Sequence, residues 1–135
     1  MLSIIIPARN EADNLQDILD YFNSKLKDVE FEVLIINDFS EDDTLDKAQK
    51  LFASENRFKV YDNKKRGLGG AINLGIENAK GNKLSIMMAD LSDDINDLIK
   101  YNNIISEKKL DAVLGSRFIK GSKVDSYPFQ KLILN

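Results

Sequence analysis

The chain contains no cysteine and no histidine. Without cysteine there is no disulfide and no thiolate to act as nucleophile or ligand. Without histidine the usual general base is missing, as is the commonest transition-metal ligand. Any metal must be held by oxygen, which favours Mg²⁺, Mn²⁺ or Ca²⁺. No apolar run approaches the length of about 18 residues that suggests a membrane span. The first apolar run has no basic segment ahead of it, so no signal peptide is expected and a cytoplasmic location is the default. A net charge of -3 gives no global bias toward nucleic acid.

What is present is an ordinary globular composition, 43% hydrophobic and 30% charged. At 135 residues the chain reads as one domain, 1–135, long enough to bury roughly two-thirds of its unfolded surface. No internal repeat or low-complexity linker interrupts it.

Leu2 to Ile6 is a β-branched run that Pro7 is expected to stop. Leu15, Ile18, Leu19, Phe22 and Leu26 recur at helical spacing from Ala12 onward, with Asn10 or Asp13 as candidate caps. Phe31 to Ile36 is a second strand, apolar on both faces as in a central parallel strand. A polar loop, Asn37 to Thr44, leads to a helix through Leu45, Ala48, Leu51 and Phe52. Phe58 to Tyr61 is a short third strand, and a basic glycine-rich loop then enters a helix over Ala71–Ala79, which Gly81 is placed to terminate. Leu84 to Met88 reads as a buried fourth strand with Asp90, Asp93 and Asp94 just beyond it. Ile95, Leu98, Ile99, Tyr101 and Ile105 mark a helix, Ala112 to Leu114 a fifth strand, and Tyr127 to Asn135 the start of another helix. Strands alternating with helices in this way predict an α/β fold, a mostly parallel sheet with helices on both faces.

In such a sheet, ligands bind beyond the carboxyl ends of the strands, where these polar loops emerge. Asp38 with Ser40 can simply fix a turn, and Asp42 or Asp43 can simply cap a helix. Asp93 and Asp94, directly ahead of a helical pattern, favour capping over metal binding. Lys64, Lys65 and Arg66 alone would be a solvated face. Their junction with Gly67-Leu68-Gly69-Gly70 at a helix start instead makes an anion site of backbone N–H groups and cations. Arg117 can reach a phosphate bidentately or pair with a nearby acid. A dinucleotide fingerprint is excluded because its glycines belong after the first strand, and Ile72 stands where the last glycine is needed. A P-loop is excluded because Ala71, not lysine, follows Gly70. What remains is a mononucleotide or diphosphate site with acids on one side and cations on the other.

Ile5 to Glu11 with Asn14-Leu15 resembles the Pro-x-x-Asn-Glu-x-x-Asn-Ile opening of family 2 glycosyltransferases. Glu32 to Thr44 is similar to their Glu-Val-Ile-Val-Val-Asp-Asp-Gly-Ser-x-Asp-Gly-Thr segment. Gly67 to Ala71, with Gly75, Ala79 and Gly81, resembles their Gly-Leu-Gly-x-Ala helix start. Met88 to Ser92 resembles Asp-Ala-Asp-Leu-Ser, and Gly115 to Phe118 resembles Gly-Ser-Arg-Tyr, both of the branch similar to dolichol-phosphate mannose synthase. The matches run in order from Ile5 to Phe118.

The resemblance implies a GT-A-like nucleotide-sugar-binding fold and inverting transfer of a sugar from a nucleoside diphosphate to an acceptor. In the matching branch that acceptor is a polyprenyl phosphate at the cytoplasmic face of a membrane. It implies Pro7, Ala8 and Glu11 beside the nucleoside and Asp38 facing base or ribose. Asp90 would hold Mg²⁺ or Mn²⁺ on the diphosphate with Ser92 nearby, and Arg117 would contact phosphate. Lys65, Gly67 and Gly69 join them on charge and backbone grounds. An acceptor that is already an anion needs little general base, which suits a chain without histidine.

This chain departs from the pattern. Met88 replaces the first metal-motif acid, Asn37 one acid of the Asp-Asp pair, and Phe39 and Asp43 two glycines. Mg²⁺ tolerates a single carboxylate, since phosphates and water supply its other ligands. The chain also ends early for the family, so it is expected to be the donor-binding part of a longer protein, lacking acceptor-side elements. Two other readings stay open. One is a non-catalytic nucleotide-sugar binding module, suggested by Met88 and the short chain. The other is a receiver-like signalling domain, which wants an acid pair after the first strand and a lysine after the fifth. The chain offers Arg9-Asn10-Glu11 and Gly115-Ser116-Arg117 there.

Overall fold

The computed structural model of the chain describes residues 1–115. Four parallel strands, β1 (Leu2–Ala8), β2 (Phe31–Asn37), β3 (Phe58–Asp62) and β4 (Lys83–Ile86), form one sheet in the order β3-β2-β1-β4. Helices α1 (Leu15–Lys25), α2 (Thr44–Leu51), α3 (Leu68–Asn78) and α4 (Ile95–Glu107) alternate with them. The sheet belongs to a compact unit, Met1–Asn103. A second unit begins at Ile104. Its described part holds the last turn of α4, closed by the Leu110 N–H on the Ile105 carbonyl, with Lys109 at positive φ.

The alternation of side chains along each strand divides the core in two. Ile4, Ile6, Val33, Ile35 and Phe58 face one way and meet Leu15, Ile18 and Phe22 of α1, Ala48 of α2, and Ile95 and Leu98 of α4. Ile5, Leu34 and Ile36 face the other way and meet Ala71 and Leu74 of α3. Helices therefore cover both faces, and β1 and β2 are buried along their whole length. Gly75 is required where α3 crosses β1, because a Cβ there would lie 2.4 Å from Ile5 Cγ2.

Several boundaries differ from expectation. β1 continues through Pro7 to Ala8. The Ile5 carbonyl accepts from Met87 on the β4 side, whereas Ala8 accepts from Asp38 on the β2 side. By alternation the Pro7 nitrogen faces the β4 side, where the ladder has already ended, so its missing N–H breaks nothing. β4 is not fully buried: Leu84 and Ile86 are each 49% exposed, because α3 packs over β1 and β2 rather than over this edge strand. Ala112 to Leu114 are not a strand, and Leu114 is 91% exposed. Three apolar residues suffice for a strand only where a neighbour supplies the ladder, and none of the described strands does so. Phe118 and the expected helix at Tyr127–Asn135 lie outside the described residues.

α3 ends when Ala79 turns extended, two residues before Gly81. Gly81 is instead a close-approach position, where a Cβ would sit 2.6 Å from Ser3 Oγ. At this amino-terminal edge the buried Glu32 carboxylate accepts from Ser3 Oγ and the Lys80 N–H, both at 2.6 Å. The Gly81 N–H donates to Ser3 Oγ at 2.8 Å, so Ser3 of β1 and Glu32 of β2 find partners in the turn that delivers β4.

Candidate functional site

The parallel register gathers the loops after β1, β2 and β3 on one edge, with Ala8 opposite Asn37 and Asn37 opposite Asp62. Asn10, at φ 58, donates its N–H to Ser40 Oγ and accepts the Glu41 N–H on Oδ1 at 2.7 Å. The Glu11 N–H donates to Thr44 Oγ1 and the Ala12 N–H to Asp42 Oδ2. The Asp42 carboxylate also accepts from the hydroxyl and N–H of Thr44. That hydroxyl bond is the main cause holding the Asp42 carboxyl below its ordinary pKa. These side chains clasp the first two loops together. Neither Asn10 nor Asp13 caps α1, and the residue at the cap, Asn14, spends its amide on Glu11 Oε2. The residue before α2, Asp43, makes no side-chain cap bond either.

Asp38 joins the second loop to the third. Its N–H bonds the Ala8 carbonyl, and its Oδ1 accepts from Asn63 Nδ2 and the Gly67 N–H, each at 2.8 Å. Asn63 then holds both the N–H and the carbonyl of Lys65. That carbonyl lies 1.8 Å from where a Cβ on Gly70 would stand, so only glycine lets the loop seat on α3. Gly67, at φ 111, turns the chain into the helix. The first-turn N–H groups of α3, at Leu68, Gly69 and Gly70, lack intrahelical partners, and Lys64, Lys65 and Arg66 directly precede this turn in the chain. Around Gly69 a Cβ would meet nothing within 4 Å.

Pro7 and Ala8 are buried at the strand end, Glu11 is half-buried, and Asp38 is 6% exposed with its carboxylate turned to Asn63 and Gly67. The Lys65 side chain is exposed. Asn37 donates to Asp62 Oδ1 at 2.8 Å, and its own buried Oδ1 has no partner. Arg9 and Arg66 both approach Glu41 Oε1, at 3.7 and 4.0 Å.

After β4, Asp90 Oδ1 accepts the Ser92 N–H at 3.0 Å across a turn with Leu91 at φ 55. Asp93 takes the Met88 N–H, and Asp94 caps α4 by accepting the Asn96 N–H. Among the described residues no three acidic side chains converge to form a metal cage. Arg117 lies outside the described residues. No helix among them is long and apolar enough to cross a membrane.

Sequence reasoning passed over Asn63 and the Asn10–Ser40 clasp. Their signal was local: asparagine two residues before a loop N–H is an Asx-turn former, and asparagine tolerates positive φ.

Comparison with known proteins bears on this arrangement. Residues 3–134 match the model of glycosyl transferase family 2. The dolichol-phosphate mannosyltransferase of Pyrococcus furiosus is 31% identical over 99% of this chain, which spans 38% of that protein. Among solved structures, Staphylococcus aureus TarS 1–349 superposes with a TM-score of 0.67 at 22% identity, over 88% of this chain and 40% of that one. The mannosyltransferase PcManGT of Pyrobaculum calidifontis, in complex with GDP-Man and Mn²⁺, superposes at 0.57 with 24% identity, over 66% of this chain and 27% of that one. These likenesses identify the sheet and its helices as a GT-A fold. With the family model covering nearly every residue, the chain belongs to glycosyl transferase family 2.

Proposed function

We propose that this chain is the donor-binding part of an inverting glycosyltransferase that moves a sugar from a nucleoside diphosphate to a polyprenyl phosphate. The observation that supports the reading is that the α3 amino terminus, with Lys64, Lys65 and Arg66 just before it, and the Asp90–Ser92 turn both follow the carboxyl ends of strands in one parallel sheet, β3 and β4. The first supplies N–H donors and positive charge for a diphosphate. The second supplies hard oxygen donors of the kind Mg²⁺ or Mn²⁺ takes.

The donor chemistry fits a cation that arrives with its nucleotide. Asp90 is exposed at the edge and Ser92 follows in the same turn, while the Met88 thioether is a poor ligand for a hard ion. The ion would be held by Asp90 and Ser92 together with phosphate and water. When bound, it offsets charge on the departing diphosphate. The chain's own residues do the rest. Gly69 and its first-turn neighbours donate N–H groups to phosphate, and the Gly67 N–H is committed to Asp38. Lys65 and Arg117 add positive charge, and Pro7, Ala8 and Glu11 border the nucleoside. The acceptor phosphate is already anionic, so attack from the opposite face of the sugar needs positioning more than a base. The likeness to dolichol-phosphate mannosyltransferase supports a polyprenyl phosphate as the acceptor.

Calorimetric titration with UDP and GDP, with and without Mn²⁺, tests the reading. Metal-dependent binding of one nucleotide, lost in Asp90→Ala, is the expected result. Binding of neither at millimolar concentration by the folded chain would sink it. Met88, 41% exposed where an acid is expected, favours a second reading, a module that binds nucleotide sugar without transfer. Metal-independent binding without turnover in the longer protein would select it.

A further inference from the structure

Phe39 is the one large aromatic side chain that this edge holds out to solvent among the described residues, 41% exposed and at φ 56. A bulky residue in the left-handed region is strained and persists only where its surroundings impose it. Here both flanks do so. On one side Asp38 is fixed by Ala8, Asn63 and Gly67. On the other, the Ser40 hydroxyl accepts the Asn10 N–H and the Glu41 N–H donates to Asn10 Oδ1. With its neighbours pinned, the ring has no route into the core and stands at the junction of the first three loops. The Arg66 guanidinium lies 6.0 Å from the ring centroid, and Glu41 ties Arg66 and Arg9 together beside it.

We propose that Phe39 is the stacking surface for the nucleobase of the donor, with Arg66 and Arg9 bordering it. This rests on the donor-site reading above and adds the residue that grips the base. An exposed ring beside cations suits a flat, electron-rich partner that continues into phosphate, and a nucleoside diphosphate has both parts. Stacking tolerates any base, but a purine covers more of the ring, so GDP gains more from it than UDP. The strain is then kept because the ring serves the ligand rather than the fold.

The test separates the two. Phe39→Gly and Phe39→Asn remove the ring while keeping residues that accept positive φ. Both are expected to melt no lower than the parent and to bind nucleotide about tenfold or more weakly. Phe39→Tyr is expected to keep the affinity within about threefold, since its ring face is preserved. Inorganic pyrophosphate, which has no base, is expected to bind parent and ring-less variants alike. Undiminished nucleotide affinity in Phe39→Gly overturns the proposal. So does an equal loss for pyrophosphate, or a lower melting temperature in both ring-less variants, because the ring would then be a packing element. Failure of the parent to bind either nucleotide removes the donor-site reading and this proposal together, a result distinct from loss of the ring's contribution alone.

Discussion

Asp38 and Gly67 lie 29 residues apart and are joined by one carboxylate, whose two oxygens sit 2.8 and 3.1 Å from the Gly67 nitrogen. The bond anchors the start of α3 to the end of β2, so the orientation of the helix amino terminus depends on a buried acid rather than on the glycine loop itself.

Asp38→Ala is expected to leave the Gly67 N–H and the Asn63 amide without their acceptor and to destabilise the chain by about 1–3 kcal/mol. Urea denaturation measures the loss. Amide exchange at Gly67 and Leu68 should quicken more than exchange in β1. Asp38→Asn, which keeps one acceptor oxygen, should recover part of the stability.

Gly69 and Gly70 are neighbours with opposite expectations. Gly70→Ala drives a methyl into the Lys65 carbonyl and should cost roughly 1–3 kcal/mol or more as the loop is forced off the helix. Gly69→Ala meets open space and should raise stability by up to about 1 kcal/mol through helix propensity. Thermal melting of the two variants distinguishes them. If the first turn of α3 receives the diphosphate, Gly69→Ala should also weaken nucleotide binding.

Gly75→Ala should destabilise by about 1–3 kcal/mol, because its methyl enters the space of Ile5. Ile5→Ala, which removes the γ carbons that the methyl would meet, should cost less in the Gly75→Ala chain than in the parent, and a double-mutant cycle should show favourable coupling. Strict additivity would mean that α3 shifts away instead.

The clasp between the first two loops should loosen in acid. The Thr44 hydroxyl is the main cause lowering the Asp42 pKa in the folded chain. A lowered folded pKa contributes stability above the unfolded value, and that contribution disappears as pH falls through the folded value. Asp42 is exposed, so solvent screening keeps the effect small. NMR titration should show Asn10, Glu11 and Thr44 amide shifts moving with the Asp42 carboxyl, and Asp42→Asn should abolish that coupling.

The alternation of β-branched runs with helical spacing was enough, without coordinates, to determine the class of the fold, its parallel sheet and the edge that carries the loops. Those patterns are local, and burial on one or two faces writes them directly into residue order. The same reading placed Asp94 at the start of α4, because capping needs only near neighbours. Tertiary structure alone decided the jobs of Asp38, Asn10 and Thr44, since each side chain accepts a backbone N–H that only the β1–β2–β3 register brings within reach, and it alone brought Asn63 to the Asp38 carboxylate. It also decided that Leu84 and Ile86 stay half-exposed and that Ala112 to Leu114 form no strand. Apolar residues state what can be buried. Whether a helix covers them, or a ladder receives them, depends on neighbours distant in sequence.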